Sequence, residues 1–128
     1  MELVELGQQA RNEGRIGEAL ELYVSAADLL LEGEELVRWA HALRHVADLQ
    51  LQQGRVEEAR QSIEAVTVFY RTNGTGALEM ANTLRIAALV EEVAGKNEVA
   101  TDLWSDAADL YAECGVEAGV AEARRRRG

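Results

Sequence analysis

The sequence predicts an all-α helical-repeat protein, and three features of the chain support this. Its 128 residues include 21 alanines and no proline, so helix formers abound and the strongest helix breaker is absent. Apolar residues recur three and four positions apart, which is the spacing of one helical face. Glycines interrupt these segments at nearly equal distances. We therefore expect helices joined by short turns in a repeating unit.

Two sets of glycines share a spacing of 40 or 41 residues: Gly14, Gly54 and Gly95, and then Gly33, Gly74 and Gly115. Glycine adopts the left-handed backbone conformation at no steric cost, so each of these residues is expected to end a helix. The apolar segments between them predict helices near 2–13, 16–32, 34–53, 56–73, 75–94, 97–114 and 116–127.

The first six helices are expected to form three hairpins, with repeats at about 2–33, 34–74 and 75–115. The last segment, about 116–127, is short and carries Val116 and Val120 on its apolar side. We expect it to cap the array, because a helical repeat needs a polar outer face at its end. The composition shows no linker, so we expect a single domain over residues 1–128.

Equivalent positions in the three hairpins carry residues of the same kind. These are a small residue before the turn glycine, an alanine after it, a bulky residue and a second small residue: Gly7, Ala47 and Ala88; Ala19, Ala59 and Ala100; Tyr23, Ile63 and Trp104; Ala26, Val66 and Ala107. Small side chains let two helices approach closely, while the bulky one fills the space beside them.

This pattern resembles the tetratricopeptide repeat (TPR) family over nearly the whole chain. Three features differ from the family: no proline follows the second helix, the aromatic position near the end of the first helix holds Ala10, Gln50 and Glu91, and the period is 40–41 residues. The period of the family is about 34 residues. The long period is similar to that of kinesin light chains and of bacterial peptide-sensing regulators.

The expected core face of the longer first helices contains apolar residues at helical spacing: Leu36, Trp39, Ala40, Leu43, Val46 and Ala47, and then Ala77, Met80, Ala81, Leu84, Ala87 and Ala88. The resemblance implies a concave groove lined by residues about a quarter turn away, which bind a peptide or a partner protein. These residues are Gln8, Arg11, Asn12, His41, Arg44, His45, Asp48, Asn82, Arg85 and Leu89.

Three arginines on one face of an acidic chain suggest a partner segment that carries carboxylates, because guanidinium and amide donors suit carboxylates well. The alternative is that each arginine is a solvated helix residue paired locally, as the i,i+4 spacing of Arg44 and Asp48 permits. His41, His45 and Asp48 also share a face, which raises a metal site as a weaker alternative. We expect no metal and no cofactor.

The formal net charge of −10 disfavours nucleic acid and anionic membrane as partners. Outside Arg124–Arg127 the charge is −14, and we interpret this basic run as the end of the capping helix. No apolar run is long enough to span a membrane, and the first residues do not form a secretory signal. A cytoplasmic location is therefore expected.

No nucleotide-binding loop and no nucleophile motif occurs, so we expect no enzymatic activity. The predicted function is that of a scaffold for protein–protein or protein–peptide interaction. The alternatives are a self-associating structural module and a ligand-sensing regulatory domain. We expect a monomer or a weak homodimer, because three repeats are near the minimum for a stable array.

Overall fold

A computed structural model describes residues 2–128 of the chain, which form seven helices and no strand. The helices are α1 (Glu2–Asn12), α2 (Ile16–Glu32), α3 (Leu36–Gln52), α4 (Val56–Asn73), α5 (Ala77–Val93), α6 (Asn97–Cys114) and α7 (Glu117–Arg127). The predicted all-α class is confirmed, and every helix end lies within two residues of its predicted position. Within the described range, no helix has the combination of length and apolar character that crossing a membrane requires.

The chain divides into two compact units, one extending to Val66 and the other running from Thr67 to Gly128. In the first unit, α1 packs against α2 and α2 against α3. In the second unit, α5 packs against α6 and α6 against α7. The boundary falls inside α4, where the sequence has no linker. Consecutive helices are thus neighbours within each unit, as their short connections require.

Tyr23 lies at the centre of the first unit's core. Its ring is almost fully buried, and a Cβ atom built on Gly7 would lie only 3.0 Å from it. The buried residues around it come from α1, α2 and α3: Ala10, Ala19, Leu20, Val46 and Leu49. A smaller cluster of Ala27, Leu30 and Ala42 packs against Trp39. The alanines allow α1, α2 and α3 to approach closely.

The core of the second unit is built around Trp104 and Tyr111 of α6. Trp104 is fully buried, and its indole Nε1–H donates a hydrogen bond of 2.6 Å to Glu92 Oε2. Small residues surround the two rings: Ala81, Ala88, Ala100, Ala107, Ala108 and Ala123. A buried indole needs a partner for its donor, so Glu92 satisfies the polar end of an otherwise apolar contact.

The core of the first helices is wider than the sequence predicts. The prediction that Leu36 is a core residue is wrong, since Leu36 is 40% exposed at the start of α3. Ala42 and Leu49 are buried instead, on a stripe that packs against α2. In α5 a second buried stripe contains Thr83, Ile86 and Val90. The prediction assumed one apolar face for each helix, whereas α3 and α5 bury two.

Left-handed residues end the helices, as the glycine spacing predicts, with one displacement. Five turn glycines have φ between 74° and 83°: Gly14, Gly54, Gly74, Gly95 and Gly115. After α2, however, Gly33 has φ −79° and Glu34 takes the left-handed conformation at φ 57°. The amide of Glu35 still donates a hydrogen bond of 2.9 Å to the carbonyl of Leu30, as the residue after the glycine does in the turns at Gly14, Gly54, Gly95 and Gly115.

Replacing Glu34 by glycine is expected to stabilise the protein by about 1 kcal/mol, because a side chain in the left-handed region is strained and glycine is not. Glu34→Ala is the matched control: it removes the same carboxylate but keeps the Cβ atom. Urea unfolding should give a higher midpoint for Glu34→Gly than for both the wild type and the alanine variant. Equal midpoints for the two variants would contradict the assignment of strain to this position.

Candidate partner-binding site

The predicted binding residues lie on the first helices α1, α3 and α5, and they divide between the two units. The first unit holds Gln8, Arg11, Asn12, His41, Arg44, His45 and Asp48, and the second holds Asn82, Arg85 and Leu89. Each set forms contacts within its own unit.

In the first unit, Arg11 of α1 binds two predicted residues of α3. Its guanidinium donates to Nδ1 of His45 at 3.0 Å and also forms an ion pair with the carboxylate of Asp48. His45 and Asp48 are three residues apart and therefore lie on one side of α3. The structure thus brings three of the predicted residues together, as an internal link between two helices.

His45 is held as a neutral ring. Because a guanidinium only donates hydrogen bonds, Nδ1 of His45 is the acceptor and the ring proton is on Nε2. The ring stacks on Tyr23 with centroids 4.8 Å apart, and His41 contacts it edge-on at 5.0 Å. Burial, together with the neighbouring charges of His41, Arg44 and Arg11, lowers the pKa of His45 to about 4, against the opposing effect of Asp48.

The remaining predicted residues of the first unit differ in exposure. Gln8, Asn12 and His41 are exposed, as a binding face requires. Arg44, predicted on the same face, is only 9% exposed. Its side chain is therefore part of the interior of the fold. Asp48, which the local-pairing alternative assigned to Arg44, accepts a hydrogen bond from Arg11 on another helix.

In the second unit, Arg85 of α5 binds Glu122 of α7 through two hydrogen bonds. Its Nε donates to Oε1 at 2.6 Å and its Nη2 donates to Oε2 at 3.2 Å. These hydrogen bonds hold the pKa of the Glu122 carboxyl below its ordinary value, with Arg126 contributing in the same direction. Asn82, one turn before Arg85, accepts a hydrogen bond of 2.7 Å from the Tyr111 hydroxyl.

These side chains border an open groove of about 480 Å³ formed by α5, α6 and α7. Its lining combines the polar groups just described with apolar side chains: Leu78, Asn82, Arg85, Tyr111, Val116, Ala118, Gly119 and Glu122. Leu78 is partly exposed and contributes an apolar surface beside the Arg85–Glu122 pair. The third predicted residue of this unit, Leu89, packs against the apolar core instead.

Sequence reasoning missed the partners that complete these contacts, above all Glu122. A spacing signal exists: Arg11 and Asp48 are 37 residues apart, and so are Arg85 and Glu122. The turn glycines are spaced by 40–41 residues, so a separation of 37 connects helices at equivalent places in that spacing, α1 with α3 and α5 with α7, with an offset of about one turn. Six pairs of opposite charges have this spacing in the sequence, and both observed pairs are among them, so the spacing alone does not select them.

In chemical terms, the groove presents a guanidinium fork, a carboxylate and an amide beside apolar surface. Within the part of the chain that the structure describes, no group of three or more His, Cys, Asp or Glu side chains is placed to hold a metal ion. His41, His45 and Asp48 therefore do not converge as ligands, and the contact with the Arg11 cation uses Nδ1 of His45.

No protein-family model matches this sequence, and neither does any curated protein. The resemblance to the tetratricopeptide pattern accordingly rests on the residues and their spacing alone.

The depressed pKa of His45 predicts that stability falls as the pH is lowered. The unfolded histidine titrates near 6.5 and the folded one near 4, so between these values the unfolded state binds more protons. The free energy of unfolding should then decrease by roughly 1 kcal/mol per pH unit below pH 6.5, in addition to any effect of the carboxylates.

Urea unfolding from pH 7 to pH 4.5 measures this effect in the wild type and in His45→Gln. The stability advantage of the wild type over His45→Gln should shrink as the pH falls. Parallel pH profiles for wild type and His45→Gln would show that His45 does not titrate in this way.

Proposed function

We propose that this chain is a tetratricopeptide-like interaction module that binds a segment of a partner protein on the exposed faces of its first helices. Three hairpins in register support the repeat assignment, and all ten predicted contact residues lie on α1, α3 or α5. Side chains on packed helices are held in place before binding, so little ordering entropy is lost on the protein's side.

The observation that carries this proposal is the groove of the second unit. Its volume is about 480 Å³, within the range of about 300–1,000 Å³ that ligand pockets span. Leu78 and Val116 supply apolar contact, and Asn82 and Arg85 supply directional hydrogen bonding. A groove with both kinds of contact suits the side chains of a bound peptide better than it suits the flat surface of a folded partner.

We propose an acidic segment as the partner, with its carboxylate bound at Arg85. The guanidinium of Arg85 already binds the carboxylate of Glu122 in a two-bond geometry, which supports a carboxylate as the group that it takes from a partner. The side chains of Arg85 and Glu122 are 36% and 22% exposed, so a ligand carboxylate can reach the pair and compete for the guanidinium. Binding by exchange of this kind is weakened by salt.

Self-association is a second candidate, which one surface feature favours. Apolar side chains are exposed on both sides of the turn between α2 and α3: Leu29, Leu31, Leu36 and Val37. Val37 is the most exposed of them, at 71%. Exposed apolar groups close together mark contact surfaces more often than isolated ones do. Light scattering at increasing protein concentration, with Val37→Lys as the variant, tests this candidate.

Arg85→Gln is expected to weaken binding of acidic peptides by about tenfold or more, because the charged fork is lost while the side chain remains polar. The control Arg15→Gln changes the net charge equally at an exposed arginine of the first unit, which is paired with Glu13 and Glu18. Peptides enriched in Asp and Glu are selected from a random library, labelled, and titrated by fluorescence anisotropy.

The control variant should bind the selected peptides as the wild type does. Two results oppose the proposal: equal loss of affinity in Arg85→Gln and Arg15→Gln, which indicates general charge attraction, or equal binding of the acidic peptides and their Asn and Gln counterparts.

A further inference from the structure

Helix α7 is the most polar of the described helices, and polar contacts are prominent where it docks. Its sequence has a single valine, Val120, and ends in four arginines. Ala123 is its one fully buried residue among those described, and Val116 and Val120 are half-buried against the core of the second unit.

Two ion pairs join α7 to α5 in a defined order. Arg85 binds Glu122, and seven residues further along α5, Glu92 Oε1 accepts a hydrogen bond of 2.7 Å from Arg126. The residue numbers increase in the same direction on both helices, so α7 runs parallel to α5. The guanidinium of Arg126 also lies 5.7 Å from the centre of the Trp104 ring, a cation–π distance.

A steric requirement accompanies these charges. A Cβ atom at Gly119 would lie 2.6 Å from the ring of Tyr111, closer than a side chain tolerates. Position 119 therefore requires a residue without a side chain as long as α7 keeps its place. Together, Arg85, Glu92, Trp104 and Tyr111 form what we call the α7 seat.

We infer that the α7 seat is a docking surface for a partner helix, which displaces α7 and carries the same recognition pattern. That pattern is a carboxylate and an arginine four residues apart, with a glycine three residues before the carboxylate, as in Gly119, Glu122 and Arg126. The inference rests on the proposed function, since Arg85 belongs both to the groove and to the seat, and it names α7 as the internal competitor for that arginine.

The charges of the seat define the partner. Its basic group, Arg85, and its acidic group, Glu92, are two turns apart on one face of α5, so only one order of charges along a parallel helix satisfies both. Trp104 reinforces the arginine end. Ion pairs that remain partly exposed exchange readily with competing groups and are screened by salt, which makes α7 displaceable.

The test uses a labelled synthetic peptide of residues 116–128 and the full chain with α7 weakened by Gly119→Val or by Glu122→Lys. We expect the peptide to bind both variants at least about tenfold more tightly than it binds the wild type, because α7 no longer occupies their seat. A peptide with Glu122→Arg and Arg126→Glu has the same composition but the opposite charge order. It should bind at least about tenfold more weakly.

A second measurement uses the wild-type protein. An excess of isotope-labelled peptide should increase hydrogen exchange of the amides in α7 and leave α5 protected. Any one of three results overturns the inference. The peptide fails to bind the folded variants, the charge-swapped peptide binds equally well, or hydrogen exchange in α7 is unchanged. If one variant fails to fold, the other variant and the exchange measurement still decide.

The two proposals fail separately. If acidic peptides bind the wild type through Arg85 but the α7 peptide does not bind, only the inference about the α7 seat is rejected. If the α7 peptide binds but acidic peptides do not, only the proposal that the groove binds acidic segments is rejected.

Discussion

Close contact between a tyrosine ring and a glycine of the neighbouring helix sets the spacing of helices in both units. In the first unit Tyr23 lies against Gly7, and in the second Tyr111 lies against Gly119. With no Cβ between them, the helix axes approach until the polar side chains beside the rings meet. Tyr23 then supports His45 by stacking, and Tyr111 positions Asn82 by a hydrogen bond. The aromatic–glycine contact thus sets the geometry of the candidate site as well as the core.

Electrostatics in this chain specifies which helices pair and in which order. The basic residues on the binding face are not a free positive stripe, since Arg11 is paired with Asp48 and Arg85 with Glu122. The surface therefore presents paired opposite charges, and the proposed binding of an acidic partner depends on exchange at one guanidinium. Paired charges of this kind contribute more to specificity than to net attraction.

Much of the local structure was predictable, because helix propensity, apolar spacing and turn glycines act over a few residues. The helix bounds and the hairpin pattern follow from such signals. Of the candidate site, the sequence indicated the helices and their exposed face, and it included Arg11, His45, Asp48, Asn82 and Arg85. It did not indicate Glu122 as a partner or the burial of Arg44, because both depend on which helices become neighbours. The sequence also indicated Gly33 as the left-handed residue after α2, one position before the residue that takes this conformation, Glu34.

The sequence by itself determined that this chain is helical and, to within two residues, where each helix begins and ends, since these properties depend on short-range backbone and side-chain preferences. The tertiary structure alone decided that α3 and α5 bury two stripes, that His45 is a neutral packing residue, and that Arg85 is shared between a groove and α7. These outcomes depend on residues that are distant along the chain and adjacent in space, because burial and charge pairing are properties of the packed neighbours.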